Sequence, residues 1–302
     1  MAVAPDEVVL VPFGGNQIEI QAYGPIAVRV VDLLFAQAAR RPDVAGAPVS
    51  QFSLWDQPDG GLRVMSNGDT LAIGTDIGDA ALKLQEAATA ALAGANTTGL
   101  VFHAASITYG RGAIVLPGRS GSGKTTLAAH VERSGGRSLS DETSCVWPDR
   151  TVEGLRRPFN VKTRGLHVFE RLAGESLTGG AGASGNVRSN VRSLAGPVGT
   201  LVTFALDDDA HAEPAQVPLR ALVFPRYDSR ATTQCEPLAG APAALQLMGS
   251  LLNARNLEGH GFPAVTALAR AIPSYRLEYS DARDAVTVLA RLLDELDASN
   301  AG

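Results

Sequence analysis

The chain is short of several things, and each shortage closes off a reading. It has two cysteines, Cys145 and Cys235, in 302 residues. Two such distant cysteines build neither a disulfide framework nor a metal-knuckle spacing, which suits a reducing compartment. Basic residues are not in excess: 26 Lys and Arg stand against 31 Asp and Glu, for a net charge of −5. A polyanion such as nucleic acid usually meets a basic face, so no nucleic-acid partner is expected. No apolar run approaches the roughly 20 residues a membrane helix needs. The opening Met1–Glu7 lacks a basic stretch followed by an apolar one, so no signal peptide and no membrane partner are expected. The expected location is cytoplasmic. What remains is an ordinary globular balance, 45% apolar and 19% charged, enough for one large domain or two modest ones.

Periodicity divides the chain. Residues 1–95 read as a small α+β region. Gln17–Gln21 alternates like a strand, and Ile26–Ala39 fits a helix. Gly61–Ile73 fits one or two strands with a turn at Asn67-Gly68, and Asp79–Leu92 is an Ala-rich amphipathic helix. Residues 96–302 read as a second domain. Gly99–Thr108 and Gly112–Leu116 are strands, Lys124–Ser134 a helix, and Arg137–Ser140 a strand. Gly179–Ser193 is rich in Gly, Ser, Asn and Arg and reads as a mobile loop. Gly199–Leu206 and Leu219–Phe224 are strands. Asp284–Leu296 is a helix with Ala285, Val288, Leu289, Leu292, Leu293 and Leu296 on one face and Asp281 as its N-cap.

Between an apolar strand and a helix-forming run lies Gly118-Arg119-Ser120-Gly121-Ser122-Gly123-Lys124-Thr125, a full match to G-x-x-x-x-G-K-[ST]. The spacing has a mechanism. Glycines let successive N–H groups turn inward onto phosphate oxygens, and the following helix offers its positive end to the same anion. Lys124 reaches the β and γ phosphates, Thr125 ligates Mg²⁺, and Thr126 lies within reach of the same anion. The cofactors expected are therefore ATP and Mg²⁺. The next acids, Asp141-Glu142, follow Lys124 by 17 and 18 positions. They can hold the metal or accept a proton from an attacking hydroxyl, and so short a spacing favours a kinase over a motor. A rival acidic run, Asp207-Asp208-Asp209, follows the apolar stretch Leu201–Leu206. Gly180–Gly185 also satisfies G-x-G-x-x-G, but no strand leads into it and no apolar helix follows, so a dinucleotide site is not expected there.

His103 lies 15 positions before Gly118. Together with the P-loop and the acidic pair, it makes the chain resemble the catalytic domain of the HPr kinase/phosphorylase family over some 40 residues. The family shows a histidine at that distance and two aspartates at that spacing. Here the pair is Asp-Glu. The resemblance implies an α/β fold with a phosphoenolpyruvate-carboxykinase-like P-loop core and mixed sheet. It also implies transfer of phosphate from ATP to serine. His103, Lys124, Asp141 and Glu142 become the expected catalytic set, with Thr125, Asp141 and Glu142 toward the metal. Arg164-Gly165-Leu166 corresponds to a family stretch whose magnesium glutamate is replaced here by Lys162. No Pro-Gly-Arg-Asn segment is present, and phosphorylase activity is not expected.

The acceptor expected is a serine on a peptide or small protein, natural-product precursor peptides included. Arg157, Lys162, Arg188 and Arg192 are candidate contacts for acceptor or phosphate. A homo-oligomer is open. Two rivals stay open too: a small-molecule kinase, which usually begins near its P-loop, and a nucleotide-binding regulator, which has no use for a base.

Overall fold

The computed structural model describes residues 3–38, 46–110, 112–174, 177, 191–197, 199–204 and 216–300. In chain order the first elements are β1 (Glu7–Phe13), β2 (Asn16–Tyr23), α1 (Pro25–Phe35), β3 (Gln51–Asp56), β4 (Leu62–Ser66), β5 (Asp69–Gly74) and α2 (Ile77–Ala95). Then come β6 (Leu100–Thr108), β7 (Ala113–Pro117), α3 (Lys124–Arg133), β8 (Arg137–Ser140), β9 (Thr143–Val146) and β10 (Thr151–Gly154). A third stretch holds β11 (Phe159–Val161), α4 (Leu166–Ala173), β12 (Val191–Ala195) and β13 (Thr200–Phe204). The last holds β14 (Val217–Tyr227), β15 (Gln234–Pro237), α5 (Gly240–Met248), α6 (Phe262–Ala271), β16 (Ser274–Tyr279) and α7 (Ala282–Asn300). The fold is mixed α/β, with parallel and antiparallel pairings in the same sheets.

Contacts divide the chain into two compact units. One joins Met1–Ala95 to Arg156–Glu213; the other joins Asn96–Leu155 to Pro214–Gly302. One cut falls after residue 95. The segment from residue 156 to 213 instead packs with the first 95 residues, where the reading kept it with the P-loop segment. Specific contacts draw it there. Gly78, in the first turn of α2, lies so close to the Ala195 carbonyl that any side chain would collide with it. The Gln85 amide donates to Pro158 O at 3.3 Å, and Arg157 Nη1 donates to Thr89 Oγ1 at 3.1 Å.

In the first unit a five-stranded sheet runs β1-β2-β3-β4-β5. The β4–β5 turn is Asn67-Gly68, both at positive φ (48° and 93°), the left-handed pair a two-residue hairpin requires. Helix α1 begins at Pro25, and its cap comes from far along the chain: Asp56 accepts the Ile26 and Ala27 N–H groups at 3.0 and 2.8 Å. A second sheet runs β11-β13-β12. Residues 191–193, read as part of a mobile loop, lie in β12. They pair antiparallel with β13, and Val191 is buried, so strand pairing overrides the loop-like composition. The rest of that glycine-rich stretch, with Arg188 and Gly180–Gly185, lies outside the described residues. So do Asp207-Asp208-Asp209.

The second unit is built on an eight-stranded sheet of order β10-β9-β6-β7-β14-β16-β15, with β8 also paired to β6. Strands β7, β14 and β16 are parallel to one another, and β6 runs against β7. Strand β10 also meets the start of β14, so the sheet curls back on itself. Alternation sorts β6. Leu100, Phe102 and Ala104 join a buried cluster with Ala243, Leu247, Val265 and Leu268 of α5 and α6. His103 points away from that cluster. Helix α3 packs on β6 and β8, and α7 packs on α3, β14 and β16. In α7 the N-cap is Asp281, which accepts the Arg283 N–H at 2.8 Å. Its buried stripe is Ala285, Val286, Leu289, Leu292 and Leu293, with Val288 and Leu296 half-buried.

Candidate nucleotide-binding site

The site grows from one hairpin. Strands β6 and β7 pair antiparallel with Ala104 opposite Pro117. One step further along the ladder brings His103 level with Gly118, where β7 gives way to the P-loop. A separation of 15 positions is thus what this register demands, and it sets the imidazole beside the loop.

Strand β6 changes partners at the same place. Its first half, Leu100–His103, pairs with β9, and its last residues, Ser106–Thr108, pair with β8. Asp141-Glu142 is the joint between β8 and β9. Several bonds hold this joint. Ala104 N–H donates to Glu142 O at 2.9 Å. Ser140 Oγ accepts the Glu142 and Thr143 N–H groups at 3.2 and 2.9 Å. Ser144 Oγ donates to Ala104 O at 2.9 Å and lies 2.8 Å from Ser106 Oγ, whose hydroxyl can donate to it. On the side that β7 has left, His103 N–H donates to Ser250 O at 2.7 Å, and Asn253 locks the base of β6 by accepting Val101 N–H at 3.0 Å.

The loop itself is tightly folded. Gly121 and Gly123 stand at φ 87° and 96°, a region L side chains rarely enter. Gly118 is needed for space instead: a Cβ there would lie 2.7 Å from Ser122 Oγ. At Gly123 a Cβ would collide with the Tyr279 hydroxyl, which donates to Ser122 O at 3.3 Å. Tyr279 is buried, and burial pushes its phenol well above the ordinary range, so it stays a neutral donor.

Lys124 opens α3 and is 6% exposed. Its ammonium donates to Gly118 O at 2.6 Å and Arg119 O at 3.4 Å, and lies 3.3 Å from His103 Nε2. An ammonium cannot accept, so Nε2 must be the unprotonated nitrogen, and a neutral His103 carries its proton on Nδ1. That Nδ1 faces Glu142 Oε1 at 3.7 Å. Lys124, His103 and Glu142 thus form a row. The acids differ in access: Asp141 is 4% exposed, whereas the Glu142 side chain is 37% exposed.

Three observations test whether a phosphate chain fits here. Helix α3 has no side-chain cap and no acid in its first turn, so its positive end and amino-terminal N–H groups are available to an anion. Ser122 Oγ is buried within the loop without a hydrogen-bond partner. Gly118 and Gly123 let the loop fold tightly against Ser122 Oγ and the Tyr279 hydroxyl, where a Cβ would collide, leaving bare backbone on the loop. All three fit. For the metal, the donors are the Thr125 hydroxyl, half-buried, and the two acids. Among the described residues no group of three or more His, Cys, Asp or Glu is gathered as for a protein-only cage. Mg²⁺ in such sites takes one or two protein oxygens and completes its shell with phosphate and water.

The remaining expected residues belong to the first unit. Arg192, on β12, is ion-paired to Asp32 of α1 at 2.7 Å. Arg157 holds Thr89 of α2, and Lys162, exposed, precedes the single turn Thr163–Gly165. The sequence reading did not single out Tyr279, Tyr227, Ser250 or Asn253. They reach the site's surroundings from more than a hundred residues away, and no local spacing announces them.

No protein-family model matches the chain, and no curated protein is significantly similar to it. Among the described residues no helix is long and apolar enough to cross a membrane.

Proposed function

We propose that the chain is a Mg-ATP-dependent kinase that moves the γ-phosphate to a hydroxyl, serine foremost, on a peptide or small protein. One observation carries the reading: the row Lys124–His103–Glu142 at the mouth of a P-loop. A nucleotide binder needs only the first member. A phosphoryl transferase needs a charge on the phosphate and a proton acceptor beyond it.

In this reading the loop N–H groups and Lys124 position the phosphates, and Lys124 exchanges its carbonyl partners for phosphate oxygens. Glu142, the accessible acid, takes the acceptor hydroxyl's proton. The new O–P bond forms as the γ-phosphorus leaves the bridging oxygen, and ADP departs. His103, proton on Nδ1, orients Glu142. Thr125 and buried Asp141 would hold Mg²⁺, which when bound neutralises phosphate charge. The register of His103, P-loop and acidic pair supports the finer fold reading too, a phosphoenolpyruvate-carboxykinase-like core of the HPr-kinase kind. A cytoplasmic location belongs to the same proposal.

The test is incubation with γ-labelled ATP and a serine-bearing peptide pool, with the phosphate located by mass spectrometry. Label should appear on serine with wild type and be lost with Glu142→Gln. Equal labelling by Glu142→Gln, or none by wild type with any acceptor pool, counts against it.

A further inference from the structure

The P-loop has two flanks. Strand β6 lies on one side of β7, and β14 lies on the other. The β6 flank carries His103 and Glu142, the groups that can do chemistry. The β14 flank carries two tyrosines at the ends of adjacent parallel strands, Tyr227 of β14 directly paired with Tyr279 of β16.

Tyr227 is unusual for a large aromatic, being 52% exposed at the end of a strand whose preceding residues are mostly buried. It is not loose. Its ring stands edge-on to Tyr279 at 5.8 Å between centroids, and Tyr279 is buried and bonded to the P-loop at Ser122 O. The backbone beyond it is tied as well, Asp228 N–H donating to Tyr279 O at 3.0 Å. The Tyr227 Cβ lies 3.7 Å from where a Gly123 Cβ would stand, at the start of α3. A rigid, half-exposed ring is thus fixed to the edge of the phosphate cradle, on the side away from the proton acceptor.

A triphosphate laid along the loop has two ends. If its γ end lies toward Lys124, His103 and Glu142, the nucleoside must leave toward the other flank. We infer that Tyr227 is the platform on which the nucleoside packs, its ring against the face of the base or sugar, and that Tyr279 holds that platform in register with the loop. This rests on the nucleotide-site reading and deepens it. The contact is apolar and aromatic, so it recognises a planar base without naming which. It also explains why the loop tolerates only glycine at position 123, where loop, helix start and both tyrosines converge.

Calorimetric titration of wild type, Tyr227→Ala and Tyr227→Phe with Mg-ATP and with Mg-tripolyphosphate separates the possibilities. Tripolyphosphate has the phosphates and no nucleoside. The platform predicts that Tyr227→Ala weakens ATP about tenfold or more, the scale of one lost aromatic stack, and leaves tripolyphosphate binding unchanged. Tyr227→Phe should bind both like wild type. Equal weakening of both ligands would show that Tyr227 acts only through the loop, and an unchanged ATP affinity would show that it touches nothing; either overturns the platform. Weakening by Tyr227→Phe as large as by Tyr227→Ala would assign the effect to the hydroxyl and overturn stacking. If wild type binds neither ligand, it is the nucleotide-site reading beneath the inference that fails.

Discussion

The two units use their charged residues in opposite ways. In the first, Arg192 is spent on Asp32 and Arg157 on Thr89, both holding elements together. In the second, Lys124 is buried at the loop, donating to two loop carbonyls and lying 3.3 Å from an imidazole. An arginine already paired has little to offer a ligand. A buried ammonium that donates to loop carbonyls can exchange them for an anion, because a phosphate oxygen offers what a carbonyl does not, a full opposite charge. The comparison teaches that cation count says little about a site and that the company a cation keeps says much.

The largest effect that comparison predicts is at Lys124. Lys124→Ala should cut phosphoryl transfer by roughly 10²–10³-fold or more, the scale for a lost charge on the transferring group. Circular dichroism should show the fold intact. Next come the acids. Glu142→Gln and Asp141→Asn should each cost roughly 10²-fold in turnover, as lost proton transfer does, with little change in ATP affinity for Glu142→Gln. Asp207→Asn, steady-state rates measured alongside, should be close to wild type; damage there instead would move the metal acid to the rival run.

The first unit should respond differently, in stability and not in chemistry. Gly78→Ala forces a methyl into the Ala195 carbonyl and should destabilise the unit by about 1–3 kcal/mol, the cost of overpacking, read by urea unfolding. Arg192→Ala removes an ion pair that is largely in water and should cost about 0.2–1 kcal/mol at most. Should Arg192→Ala instead lower kcat more than stability, the contrast between the units would break.

The smallest effect is a pH response at the N-cap of α7. The Arg283 guanidinium and backbone N–H hold the Asp281 carboxyl down at about 2. A depressed carboxyl lends stability above its unfolded value, about 3.9, and loses it as pH falls from there toward 2. Asp281→Asn should therefore flatten the acid limb of thermal stability between those values and matter little at neutral pH. The side chain is largely in water, so the change is slight.

Much of the second unit's site was legible because its parts are local. His103, the P-loop and Asp141-Glu142 lie on one hairpin, one helix and one strand joint, and their spacings are set by ladder registers that leave a trace in the sequence. The Asn67-Gly68 turn was legible for a similar reason, since few residue pairs tolerate two left-handed conformations. Tyr227 and Tyr279 were not legible. Their place comes from β14 and β16 pairing beside β7 across more than a hundred residues, and a tyrosine ending a strand has no signature of its own. The segment from residue 156 to 213 misled for the converse reason. Chain order placed it inside the P-loop domain, while Gly78, Gln85 and Thr89 of α2 drew it into the other unit. Loop-like composition likewise lost to pairing at residues 191–193, where β13 supplies the partner that local propensity could not foresee.

The central claim, that this loop is a nucleotide site with Lys124 as its anion anchor, is tested most directly by calorimetric titration of Mg-ATP into three proteins. Wild type and Glu142→Gln should bind saturably, one nucleotide per chain and with similar affinity, while Lys124→Ala binds far more weakly or not at all. Binding by Lys124→Ala equal to wild type, or no binding by wild type, would contradict it.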